Sequence, residues 1–378
     1  MLITFWICAG LIIYVYVGYP LLLASGLLGR KRPVRTDGGI QPSLSVLIPA
    51  HNEEKAIRSK LVNILSQSYP LEKLQIIVGD DGSSDATAQI VSEFAPCGVQ
   101  LVRGNSPQGK SLIQNALVSL ARGEILVFTD ADCFLPVNAL RTLAQNFADP
   151  EIGLVTNCAS IQNQDETSTV EGEGLYWRYE RWLRMQESER GLLAMASGSL
   201  FAMRRALWAP LNANVGDDFA LPLRVAKAGY RNILDTRVSA ITVLTQNQPG
   251  SMFRMKMRII SKDLRGLLRS PACLNPFRVG RVAVGLWSHK LLRWAIPYFL
   301  IGLLLSSVSL ASMRFYSLAL SMQLAFYAIS AVGLLLESRR IRSPLAAISS
   351  FCLVNLAALC GTLHCCTLQP AGRWKPVR

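Results

Sequence analysis

Histidine is scarce, with three in 378 residues, too few for a histidine-rich metal site. The nine cysteines lack the paired spacing of a zinc site or a disulfide framework. Cys360, Cys365 and Cys366 lie in an apolar tail and Cys133 follows an acid pair, which suits a reduced compartment. No Gly-x-Gly-x-x-Gly occurs, so the usual dinucleotide fingerprint is excluded. Gly104 to Ser111 has the spacing of a phosphate-binding loop. Arg103 and Asn105 flank that turn, and no buried strand is expected to run directly into it, so a P-loop is set aside. There is no nucleic-acid-binding motif and no basic patch interleaved with stacking aromatics, so nucleic acid is not expected as a partner. No basic segment precedes the first apolar stretch and no small-residue cleavage site ends it, which disfavours a cleaved signal peptide.

Acid is also the minority charge: 25 acidic residues against 39 basic ones give a net charge of +14. Such an excess suits a face held against anionic lipid, or attraction of a phosphorylated substrate. Hydrophobic residues make up 51% of the chain, concentrated at its two ends. Residues 2–26 can span a bilayer, and the basic Gly29–Arg35 that follows should stay in the cytoplasm. This predicts an outside N-terminus and a cytoplasmic domain from about residue 40. Three more apolar stretches, 291–313, 316–336 and 343–366, are each long enough to span. Glu337–Arg342 marks a cytoplasmic loop between the last two. That order places Arg373–Arg378 outside against the charge bias, so either the last stretch does not cross fully or the short tail is tolerated. The expected division is a transmembrane helix in 1–28, an α/β domain in 40–250, an interfacial helix in 251–270 and three transmembrane helices in 290–367. The expected location is multi-pass in the cell (inner) membrane, with the catalytic domain cytoplasmic.

Between the spans, apolar β-branched runs alternate with helical periodicity. Leu44–Pro49, Leu74–Gly79, Val99–Val102 and Ile125–Thr129 read as strands. Helices with stripes at Ile57, Leu61 and Ile64, then Ile90, Val91 and Phe94, then Ile113 and Leu117 separate them, with Ser83 or Ser84 as N-cap of the second. This alternation predicts an α/β fold with a mainly parallel sheet and helices on both faces. Further on, Ile152–Asn157 and Ser197–Arg205 read as strands, and 171–190 as an aromatic, basic helix for either a membrane surface or the domain itself. Residues 251–269 form a basic amphipathic helix, with Phe253, Met257, Ile260, Leu264 and Leu267 on one stripe.

The organising stretch is Ile125 to Asp132, a buried strand that ends in Asp130-x-Asp132. Ligands of open α/β sheets bind at the carboxyl ends of strands. Residues i and i+2 share a face, so the two carboxylates can converge on a hard cation such as Mg²⁺ or Mn²⁺. Two further acid pairs, Asp80-Asp81 and Asp217-Asp218, also end or begin elements. A transferase acting on a nucleotide sugar needs three separate carboxylate functions. One accepts hydrogen bonds from base or ribose, one holds the cation on the leaving diphosphate, and one deprotonates the acceptor hydroxyl, worth about 10²- to 10⁴-fold in rate.

Pro49–Glu54, Asp80–Asp85, Gly109-Lys110 with Asn115–Leu117, Asp130-x-Asp132 and Asp217-Asp218 stand in the order found in membrane family-2 glycosyltransferases, which this chain resembles over about residues 40–265. The relatives include cellulose, hyaluronan and poly-N-acetylglucosamine synthases. The resemblance implies a GT-A fold, an inverting single displacement, a UDP-sugar donor and Mg²⁺ or Mn²⁺. It implies that Asp80 or Asp81 holds the nucleotide with Ala50 and Glu53 beside it and Lys110 and Asp130 nearby. Asp132 would be the direct metal ligand, with Asp130, and Asp218 the general base. Gly198, Asp217, Arg254 and Arg258 would lie toward acceptor or diphosphate. The Gln-x-x-Arg-Trp motif of processive synthases is replaced by Arg254-Met-Lys-Met-Arg258 with no Trp following, which removes an acceptor platform. The expected product is a glycan or glycoconjugate of polysaccharide synthesis, with transfer to a polyprenyl-phosphate or lipid as the alternative and an inactive nucleotide-binding partner as a third reading. Partner subunits of an export system would fit the first.

Overall fold

The computed structural model describes all residues except 158–159, 164–168, 214, 245–248, 339–344 and 367–378. The tail Arg373–Arg378 and most of the Glu337–Arg342 loop therefore lie outside the described residues.

Seven strands form the main sheet: β1 (Leu44–Ala50), β2 (Leu74–Asp80), β3 (Val99–Arg103), β4 (Ile125–Thr129), β6 (Ile152–Asn157), β8 (Leu200–Arg204) and β9 (Arg231–Asp235). Their order is β3-β2-β1-β4-β8-β6-β9. All neighbours are parallel except β8, which runs antiparallel between β4 and β6. The fold is thus the mainly parallel α/β sheet expected. β1, β4 and β8 are buried on both faces, which is why their sequences are near-continuous apolar runs. Phe128 on β4 stacks on Phe201 of β8 at 4.8 Å and on Trp208 at 5.3 Å, closing one face. A small second sheet joins β5 (Cys133–Phe134), β10 (Ile241–Leu244) and β7 (Ser160–Asn163).

Two local expectations change. The helix after β2 starts at Thr87, and Asp85 rather than Ser83 or Ser84 satisfies its first N–H, at 3.0 Å from Thr87 N. Both serines instead bond Asn52. Also, β3 does run into Gly104–Gly109, but the Asp81 carboxylate already accepts the N–H groups of Gln108 and Gly109, each at 2.8 Å. A phosphate would find those amides taken.

Among the described residues, four helices are long and apolar enough to cross a membrane: α1 (Leu2–Ala24), Val282–Ser309, Arg314–Glu337 and Ala346–Cys365. Their side chains are mostly exposed, as lipid-facing helices present them. The helix Thr169–Arg190 packs among spans and domain. Its buried Glu187 accepts from Tyr19 Oη at 2.8 Å and meets His289 Nδ1 at 2.7 Å. Its buried Glu180 meets His289 Nε2 at 3.1 Å and Arg293 Nη1 at 2.7 Å. Burial works against the Glu180 charge, but His289 and Arg293 outweigh it and hold the carboxyl well below the usual range. Gly285 lies with its backbone against the Leu192 carbonyl, where no side chain would fit. The amphipathic helix Pro249–Leu268 packs along Ala346–Cys366: Gly361 sits against Met257 and Ile260, and Arg265 donates to the His364 carbonyl at 3.1 Å.

Candidate active site

The loops leaving β1 and β2 are stitched together at the carboxyl end of the sheet. Asn52, at φ 55°, donates its N–H to Ser83 Oγ and accepts from Ser84 N, both at 2.8 Å. Glu53 N–H donates to Thr87 Oγ1, and Ala50 O accepts from Asp81 N. The buried Asp80 accepts from Ser83 N at 3.0 Å and lies 3.9 Å from Arg103. Asp80 and Asp81 therefore shape this loop pair with their carboxylates, and Ala50 does so with its carbonyl.

Because β8 is antiparallel to β4, its start lies beside the end of β4. Asp130 N–H bonds Ser199 O at 3.1 Å, and Gly198 sits next to the acid pair. The hub is Lys110, the first residue of helix Lys110–Leu120. Its Nζ lies 2.8 Å from Asp130, 3.4 Å from Asp217 and 3.1 Å from the Gly198 carbonyl. Burial alone would depress this amine, but Asp130 and then Asp217 more than offset it and raise its pKa above the ordinary lysine value. Asp217 is buried, and Gln114 Nε2 donates to it at 2.7 Å.

Asp218 is placed by a helix rule. The helix Asp217–Lys227 carries Pro222 inside it, which has no N–H for the carbonyl four residues earlier. That carbonyl belongs to Asp218, and Ala196 N–H takes it at 2.8 Å. The bond draws Asp218 to the start of β8, where a Cβ built on Gly198 would lie 3.3 Å from Oδ2. Burial, then the charge of Asp217, push the Asp218 carboxyl up to about 6. Asp132, half-buried, is likewise pushed up to about 6 by burial and then Asp130.

Beneath the acid pair lies a residue that pattern reading missed. Lys60 is fully buried in helix Ile57–Leu65, donating to Thr129 Oγ1 at 2.8 Å and to the Cys133 carbonyl. Burial pushes its amine down to about 8. Two more come from the amphipathic helix. A Cβ on Gly216 would lie 2.8 Å from Asp263 Oδ1 and 3.0 Å from Asp218 Oδ1, so both carboxylates flank one point. Burial, then Asp218, push the Asp263 carboxyl well above the usual range. Burial, then Arg258, lower the Lys262 amine, which also feels Asp217 and Asp218. Of the two arginines singled out, half-buried Arg258 is one turn from Lys262, while exposed Arg254 reaches back toward Gly250 on its own helix. The one sequence signal for Asp263 was its acid in an otherwise basic helix.

Asp130 and Asp132 fit a divalent cation. They are hard oxygen donors whose mutual repulsion a dication would relieve. Among the described residues no group of three or more metal-ligating side chains gathers. Two protein carboxylates with the remaining positions left to phosphate oxygens and water is the usual Mg²⁺ arrangement.

Residues 45–209 match the family model described as Glycosyl transferase family 2. A probable glycosyltransferase, YdaM, of Bacillus subtilis is 30% identical over 50% of this chain and 48% of its own length. A beta-monoglucosyldiacylglycerol synthase of Trichormus variabilis is 30% identical over 45% of this chain and 37% of its own. The chain thus spans about half the length, or less, of these curated relatives. Among solved structures, the mannosyltransferase PcManGT of Pyrobaculum calidifontis, in complex with GDP-Man and Mn²⁺, is similar with a TM-score of 0.70 and 25% identity, covering 93% of this chain and 99% of that one. Residues 45–209 are thus similar to a family 2 glycosyltransferase domain, and the mainly parallel α/β sheet has neighbours of GT-A fold.

Proposed function

We propose that this chain is a membrane-bound, inverting glycosyltransferase that moves a sugar from a nucleoside diphosphate sugar to an acceptor hydroxyl. The observation that carries the reading is Asp218. It is a carboxylate set near neutrality, bordered by a glycine, with Lys110 linking it electrostatically to Asp130. The nucleotide would lie across the joined loops at Ala50–Glu53 and Asp80–Asp85. Asp130 and Asp132 would hold Mg²⁺ or Mn²⁺, which when bound neutralises the departing diphosphate. Lys110 and Lys262 add positive charge on the same side. Asp218 accepts the acceptor's hydroxyl proton while the oxygen attacks the anomeric carbon opposite the diphosphate, breaking the sugar–phosphate bond.

UDP-sugars are the expected donors, and the similar structure solved with GDP-Man makes GDP-mannose the first alternative to test. An acceptor held at the membrane surface, a polyprenyl-phosphate or other lipid, is favoured by one contact: the base is flanked by Asp263 of the amphipathic helix, which itself packs on an apolar helix. The relative named as a glycolipid synthase supports that class. A growing glycan is the other acceptor. The test is nucleotide release by detergent-purified protein over a panel of UDP-sugars and GDP-mannose with Mn²⁺, beside Asp218→Asn. Turnover with one donor, lost in the variant, is expected. Labelled product that extracts into organic solvent identifies a lipid acceptor, and water-retained product a glycan. Equal release by the variant would overturn the role of Asp218.

A further inference from the structure

Apart from the carboxylate cluster, a cavity of about 530 Å³ is lined by Arg224, Lys227, Arg269, Cys273, Asn275 and Arg278 among others, none of them acidic. Arg224 is fixed by the carbonyls of Ala209 and Pro210. Lys227, Arg269 and Arg278 are exposed around the rim. Cations at helix C-termini are common, and Lys227 and Arg269 stand at two of them. Arg278 lies in the last turn of a separate four-residue helix, Pro276–Val279, where Phe277 is 97% exposed. The chain enters an apolar span at Val282, four residues after Arg278. Beside that entry Arg281 lies over Gly29, at the foot of the first span. The cavity therefore opens at the level where two spans meet the domain.

We propose that this cavity binds the phosphate of an anionic phospholipid in the leaflet that Val282–Ser309 enters, with Phe277 inserted at the acyl border. Four cations around one concavity recognise a phosphate monoanion, and polybasic sites at a leaflet surface draw anionic headgroups. A bare aromatic beside them has no use for free phosphate, but an interfacial aromatic sits where headgroup meets chain. The two features together select a lipid over a soluble anion.

The experiment uses the full-length protein in nanodiscs or detergent, with phosphatidylglycerol against phosphatidylcholine and retained lipid read by native mass spectrometry. The variant K227Q/R269Q/R278Q removes three rim cations and spares Arg224. A charge-matched control, K73Q/R122Q/R205Q, removes three exposed cations elsewhere on the domain. Phosphatidylglycerol retention should fall about 100-fold in the cavity variant and stay near wild type in the control. Phe277→Ala should weaken lipid retention without altering competition by inorganic phosphate. Should the triple variant fold poorly, Arg278→Gln alone should lose several-fold. Equal losses in cavity and control variants would overturn the site. Displacement of the lipid by inorganic phosphate at matched concentration, with Phe277→Ala silent, would make it a free-phosphate site and overturn the lipid assignment.

Discussion

Asp218→Asn should make the protein more stable and inactive at once. The native carboxyl titrates at about 6, against about 3.9 in an unfolded chain. Between these values the unfolded chain has released a proton that the folded protein still holds. Stability therefore falls as pH rises from about 4 to about 6, and stays lower above. The gap of about two units corresponds to at most about 3 kcal/mol at neutral pH. Asp217 and Lys110 share the same field, so about 1–3 kcal/mol is the expected gain on neutralising Asp218, a rise of a few degrees in midpoint. The assay is thermal unfolding of both proteins in detergent at pH 7.5 and pH 4.5, followed by intrinsic fluorescence. At the lower pH the wild-type carboxyl is protonated and nearly isosteric with the amide, so the difference should shrink. Turnover should fall by about 10²- to 10⁴-fold. A variant no more stable at pH 7.5, or equally stabilised at both pH values, would refute the claim that burial and Asp217 hold this group in a strained ionised state.

Asp132→Asn should abolish divalent-dependent donor cleavage, and chelation should silence the wild type reversibly, as measured by nucleotide release on Mn²⁺ re-addition. Lys60→Met keeps the volume but frees Thr129 Oγ1 and the Cys133 carbonyl beneath the acid pair. The Mn²⁺ concentration for half-activity should rise about 10- to 100-fold, with donor KM at saturating metal little changed. Pro222→Ala restores an N–H that competes with Ala196 for the Asp218 carbonyl. It should lower kcat by up to about 100-fold with no loss of thermal stability, and an unchanged kcat would detach the proline from placement of the base.

The buried strands were legible because parallel strands covered on both faces must be apolar throughout, as Val46–Ile48 and Ile125–Phe128 are. The acids were legible because they interrupt such runs. Reversal of β8 was not, since a strand reads alike in either direction and its partners are chosen by the long helix before it. Nor was Lys60, because it takes one place in a helical stripe of isoleucines and leucines, and only the fold shows that its tip finds Thr129 and Cys133. Lys110 was placed near the nucleotide by resemblance. The structure adds that it joins two acids from different elements, a contact no local spacing encodes. Asp263 and Lys262 were hidden for the same reason: which side of an amphipathic helix faces the site depends on how that helix packs.

The carboxylates of Glu180 and Glu187 are synthesised 102 to 113 residues before the His289 and Arg293 that pair with them. During synthesis the domain's family-matched strands are complete while this helix still carries carboxylates that have no buried cation to meet. A buried acid without its partner is strongly destabilising. The domain can thus close fully only after the second span has been made and delivered to its place. Docking of the apolar helix Val282–Ser309 becomes a condition of folding, and a chain in which that helix fails to dock keeps an open seam that proteases can find.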